Sequence, residues 1–65
     1  MTADTLRARR KKARIGLREL ARHLVISPQY LSDLETGKRG SQAAIARAAA
    51  GLRVLVRARK AASRG

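Results

Sequence analysis

The sequence predicts an all-α protein, a compact bundle of four or five short helices. Three observations carry that prediction. Leucine recurs along the chain at Leu6, Leu17, Leu20, Leu24, Leu31, Leu34, Leu52 and Leu55, which suits packed helices. With one Tyr and no Phe or Trp, the core has to be built from Leu, Ile, Val and Ala. Helix start and stop signals, clearest at Ser27-Pro28 and Gly37, cut the chain into short segments. The 65 residues suffice for one domain, expected over 1–60 with a frayed basic tail at 61–65.

The elements follow in order. Helix one is expected at about 4–13, with Leu6, Ala13 and Ile15 inward and Asp4 near the positive end of the helix dipole. Gly16 opens a second helix from Leu17 to Leu24. Leu17, Leu20, Ala21 and Leu24 share its inner face, and Glu19 completes half of a capping box. Val25-Ile26 is a tight connection. The third helix, about 28–35, has Ser27 as cap and Pro28 at the first position, where a missing N–H costs nothing. Ile26 and Leu31 are spaced as a hydrophobic staple, Leu31 and Leu34 face inward, and Gly37 closes the helix. After the basic loop Lys38-Arg39-Gly40, Ser41 caps a fourth helix reaching Ala50, with Ile45, Ala48 or Ala49, and Leu52 buried. From Gly51 two readings fit. A fifth helix would place Arg53, Arg57, Lys60 and Arg64 in one basic stripe. A short strand over 52–60 fits the alternation of Val54, Val56 and Ala58 with Arg53, Arg57 and Arg59. Helix is the preferred reading, and the glycines are taken as helix punctuation.

Charge narrows the function. Sixteen Lys and Arg against four Asp and Glu give a net charge of +12, a field that attracts polyanions. The run Arg7–Arg14, with six basic residues in eight, is a candidate phosphate-contacting face. Without Cys there is neither a disulfide framework nor a thiolate metal site, and the lone His23 is read as a surface residue. No metal or cofactor is expected. One His, scattered acids and no Gly-rich phosphate loop leave enzymatic activity unsupported. No apolar run approaches the roughly 20 residues of a membrane span. No secretory signal is evident, so an intracellular, cytoplasmic protein is expected.

Two short helices joined tightly, the second entered through Ser-Pro, make a helix-turn-helix pattern. Leu20, Ala21, Leu24, Ile26, Leu31 and Leu34 would fix the helix angle, with Ala21 small because the second helix crosses close to it. Pro28, Gln29, Tyr30, Ser32 and Asp33 are then left for the outer face, where base edges would lie.

The stretch Leu6–Leu52 resembles the phage repressor/Cro type of helix-turn-helix, the Xre family. The matching residues are Arg10, Ile15, Glu19-Leu20-Ala21, Leu24, Ile26-Ser27, Tyr30-Leu31-Ser32, Leu34-Glu35 and Gly37-Lys38-Arg39. The resemblance implies a lambda-repressor-like bundle that binds operator DNA, usually as a dimer on paired half-sites. It puts Gln29 and Asp33 at base edges, with Pro28 and Tyr30 beside them. Gln29 would pair with adenine and Asp33 accept from cytosine. It puts Lys38 and Arg39, with backbone N–H groups of their loop, on phosphate. Arg10, Arg18 and Ser27 complete the phosphate candidates, and Arg10 with Glu35 would form a partly buried ion pair.

Three positions depart from the family pattern. Leu17 replaces a phosphate-contacting Gln, and Ala43 stands where some relatives place Arg toward the minor groove. Val25 replaces the turn Gly, so a reshaped turn is expected, because a β-branched residue resists positive φ. The expected function is that of a sequence-specific regulator, a repressor of bacterial or phage origin, with Leu52, Val54, Leu55 and Val56 as candidate homodimer contacts. The alternatives are a non-specific architectural nucleic-acid binder and an antitoxin or adaptor that uses the same fold to hold a protein partner.

Overall fold

A computed structural model describes residues 2–63. Four helices succeed one another: α1 (Ala3–Lys12), α2 (Leu17–Leu24), α3 (Pro28–Thr36) and α4 (Gln42–Ser63). Each of α1 and α2 packs on both α3 and α4. Leu6, Ile15, Leu20, Leu31 and Leu34 are nearly inaccessible at the centre, joined by Ala21, Ile45, Ala48, Ala49 and Leu52. Both Ala48 and Ala49 are buried. Each fully buried Leu or Ile adds about 1.5–3 kcal/mol relative to exposure, which lets a core without Phe or Trp suffice.

Local chemistry sets the helix starts. Thr2 caps α1, its Oγ1 accepting from the Thr5 N–H at 3.2 Å, and Asp4 sits in the first turn. Ser27 caps α3 by accepting from the Tyr30 N–H at 3.1 Å, with Pro28 at the start of the helix. Ser41 accepts from the Ala44 N–H at 3.2 Å ahead of α4. At α2, by contrast, Gly16 offers no side-chain cap. The half capping box expected of Glu19 does not hold, because its carboxylate turns toward α4 and accepts from Arg59 Nη2 at 3.0 Å.

The first three helices end alike. In each, an amide five residues on bonds back to the last turn: Ile15 N–H to Arg10 O, Ile26 N–H to Ala21 O, and Lys38 N–H to Asp33 O. This Schellman pattern requires one residue in the left-handed region. Gly37 fills that place at φ 79°, but Arg14 at φ 58° and Val25 at φ 59° do so with side chains. The turn at Val25 is therefore not reshaped as expected. The residue adopts the conformation a glycine would, and its side chain is left 89% exposed. The backbone bonds and the flanking Leu24 and Ile26, both packed on the core, hold it there against its own preference.

The strand reading for 52–60 is overturned. Residues 42–63 form one continuous helix, so neither a strand nor a separate fifth helix exists among the described residues. Gly51 is not punctuation, as expected, but the point where α2 crosses α4: a Cβ there would collide with Leu24 Cδ2. The absence of a side chain serves close approach while the helix runs on through it. Ala61 and Ala62 are helical too, so α4 extends into the tail expected at 61–65. Arg64, the end of the expected stripe, and Gly65 lie outside the described residues.

Candidate nucleic-acid interface

The orientation of α3 is set from below by a buried ion pair. Arg10 Nε donates to Glu35 Oε2 at 2.7 Å and Nη2 donates to Oε1 at 3.0 Å, a bidentate match, while Nη1 donates to the Ile15 carbonyl at 3.0 Å. The side chains are 11% and 3% exposed. One guanidinium thus ties α1, the turn after it and the last turn of α3. Every nitrogen of the Arg10 guanidinium is engaged inside the protein.

The outer face of α3 carries a second polar chain. Gln29 Nε2 donates to Asp33 Oδ1 at 3.1 Å, and Arg39 Nε lies 3.5 Å from Asp33 Oδ2. Gln29 is exposed, and the Arg39 side chain is 67% exposed. Three of the sequence-derived candidates are therefore linked on one face. The carboxylate that would otherwise repel phosphate is neutralised by Arg39. That bond leaves the Gln29 carbonyl oxygen and one amide hydrogen without a partner among the described residues, the kind of pair that a bidentate contact with adenine uses. Pro28 is exposed at the leading end of this face.

Other candidates are placed differently. Tyr30 is half-buried and turned aside, lining a small depression of about 150 Å³ with Ile26, Leu34, Ala44 and Arg47. Ser32 is also half-buried and borders a crevice with Arg7, Leu17 and Thr36 between α1 and α3. Ser27 uses its oxygen to cap α3, and Arg18 is exposed in the first turn of α2. Lys38 and Arg39 are exposed, but their backbone N–H groups both donate to the Asp33 carbonyl, at 2.9 and 3.3 Å. Those amides close the helix and are not free for an anion, so any grip by this loop falls to the side chains. Leu17, in place of a polar residue, packs against the core.

One neighbour escaped the sequence reading. Thr36 is exposed one turn beyond Ser32 and Asp33, and Arg7 reaches the same edge from α1. Thr36 carried a usable signal, lying seven residues from Gln29 and hence two turns along the same face. Arg7, by contrast, belongs to the basic run Arg7–Arg14 that the sequence offers as a phosphate-contacting face.

Comparison with known protein families matches residues 3–62 to the helix-turn-helix domain. The chain belongs to that family. No curated protein and no solved structure matches it. In helix-turn-helix domains generally, the second helix of the motif lies in the major groove and the first crosses the backbone. This helix-turn-helix chain is accordingly a DNA-binding module, of a family that works by binding rather than by catalysis. None of the described helices is long and apolar enough to cross a membrane.

Proposed function

We propose that the protein is a sequence-specific regulator of transcription of the phage repressor/Cro kind, acting as a repressor by occupying operator DNA. The observation that carries this reading is the outward chain Gln29–Asp33–Arg39 on a helix anchored by Arg10–Glu35. A face meant only to attract phosphate would have no use for a carboxylate holding an amide in one orientation. Asp33 orients Gln29 toward adenine and releases Arg39 toward phosphate, or itself accepts from cytosine N4. Lys38, Arg18, Ser27 and Arg39 contact the backbone through their side chains. Arg10, each of whose three guanidinium nitrogens already donates inside the protein, is assigned to the scaffold and not to the phosphate set.

The apolar residues considered for a dimer bear on stoichiometry. Leu52 is 3% exposed, Leu55 and Val56 are packed against the core, and only Val54 stands out at 56%. Each copy would also bring a net charge of +12 to the contact. The reading proposed is one chain per half-site, with pairing on the operator and no dimer formed beforehand.

The test is fluorescence anisotropy on duplexes from the gene's own upstream region and on scrambled ones, titrated across salt. Specific binding is expected to be at least ~10³-fold tighter than scrambled at physiological salt. Equal affinities across a tiled set of upstream fragments, falling together with salt, would replace this reading with that of a non-specific coater.

A further inference from the structure

A second cationic surface lies away from α2 and α3. Between the C-terminal half of α1, with its C-cap Ala13, and the second half of α4 runs a groove of about 500 Å³, open to solvent. Its floor is apolar, formed by the half-buried Ala13 and Val56 over Leu52, which is itself almost covered. Its walls are Arg9 and Lys12 from α1, and Arg53, Arg57 and Lys60 from α4. All five cations are exposed, and none has a carboxylate partner among the described residues. Their aliphatic stems extend the apolar wall while their heads stay in water.

We propose that this groove docks an acidic, amphipathic helical segment of a partner protein. The chemistry of the walls selects the occupant. Arg53, Arg57 and Lys60 follow one another at steps of four and three along α4, spanning about 10 Å. Their spacing matches carboxylates repeated at helical intervals rather than a single small anion. The apolar floor fits the opposite stripe of such a helix, which lays its hydrophobic residues into a groove. A nucleic acid would use the cations and leave the floor unused. A second copy of this chain cannot supply the acids. It has four, of which Glu35, Glu19 and Asp33 are already paired with Arg10, Arg59 and Arg39. The groove therefore gives a DNA-bound module a second side, on which a protein rich in acidic residues is held.

The test uses the intact chain and a designed peptide of about 16 residues, long enough for four helical turns, with Leu on one face and Glu on the other. A control peptide replaces every Leu by Ser at unchanged charge. In a titration followed by amide NMR, the Leu peptide is expected to shift signals of residues 9–13 and 53–60. It is expected to bind at least about tenfold more tightly than the Ser peptide. The double variant Arg53→Glu/Arg57→Glu, at exposed positions and checked for folding by circular dichroism, is expected to lose at least about tenfold in peptide affinity. Equal binding of the two peptides, shifts centred on Gln29 and Arg39, or an unchanged affinity in the double variant would overturn the proposal. So would an oligonucleotide that shifts the groove signals when the Leu peptide does not.

Discussion

The protein uses the same chemical pair twice on α3, once beneath it and once on top. Below, Arg10 and Glu35 meet bidentately at 2.7 and 3.0 Å with side chains 11% and 3% exposed. Above, Arg39 and Asp33 stand 3.5 Å apart, with the arginine 67% exposed. Burial decides what each pair is for. Out of water, neither partner of the lower pair tolerates losing the other, so the contact fixes α1 against α3. In water the upper pair is held weakly, so either partner can be exchanged at little cost. A rigid underside and an adjustable outer side are what a helix needs to enter a groove in one register and still adapt to the bases it meets.

That contrast is best broken from below. Glu35→Ala leaves a buried guanidinium uncompensated and is expected to cost about 3–5 kcal/mol, much of the stability of a small domain. Urea unfolding followed by circular dichroism measures it, and the double variant Arg10→Met/Glu35→Leu should recover most of the loss. Next in size is the top. Gln29→Ala is expected to weaken operator binding by about 1–3 kcal/mol while sparing scrambled DNA. An equal loss on both duplexes would show that Gln29 serves only the general attraction.

The third change tests the turn that leads from α2 into α3. Val25→Gly relieves a β-branched residue of its left-handed conformation and is expected to stabilise the fold by about 1 kcal/mol, after the glycine's extra entropy in the unfolded chain is discounted. A thermal melt reads this, and a lower Tm would mean that the valine is not strained. The smallest effect is expected at the most exposed pair. Arg59 Nη2 meets Glu19 at 3.0 Å and Nη1 meets the Arg14 carbonyl at 2.8 Å, with side chains 47% and 41% exposed for Arg59 and Glu19. Arg59→Ala should cost under about 1 kcal/mol, and less at high salt, because solvent screens such pairs.

What could be read from the sequence was whatever has a local cause. The Ser27 cap, the Pro28 start, the Gly37 stop and the inner leucines each answer to residues within one or two turns, and the structure has them in those roles. What could not be read depends on partners far along the chain. Gly51 looked like a break because its reason, the crossing of Leu24, lies 27 residues away in sequence and on another helix. Glu19 looked like a cap because Arg59, its partner, is 40 residues on. The same limit applied to the interface: Gln29 and Asp33, one turn apart, were legible together. The use of the Lys38 and Arg39 amides to close α3 was not, since it depends on the exact path of the chain through Gly37.

The single Tyr has a practical consequence. Among 65 residues there is one Tyr and no Trp or Phe, and that Tyr is residue 30 of α3, half-buried against α4. All the near-ultraviolet absorbance and intrinsic emission of the molecule therefore originate one residue away from Gln29. An unlabelled sample carries its own optical gauge of how α3 sits, and any ligand that shifts that helix leaves its mark on one ring.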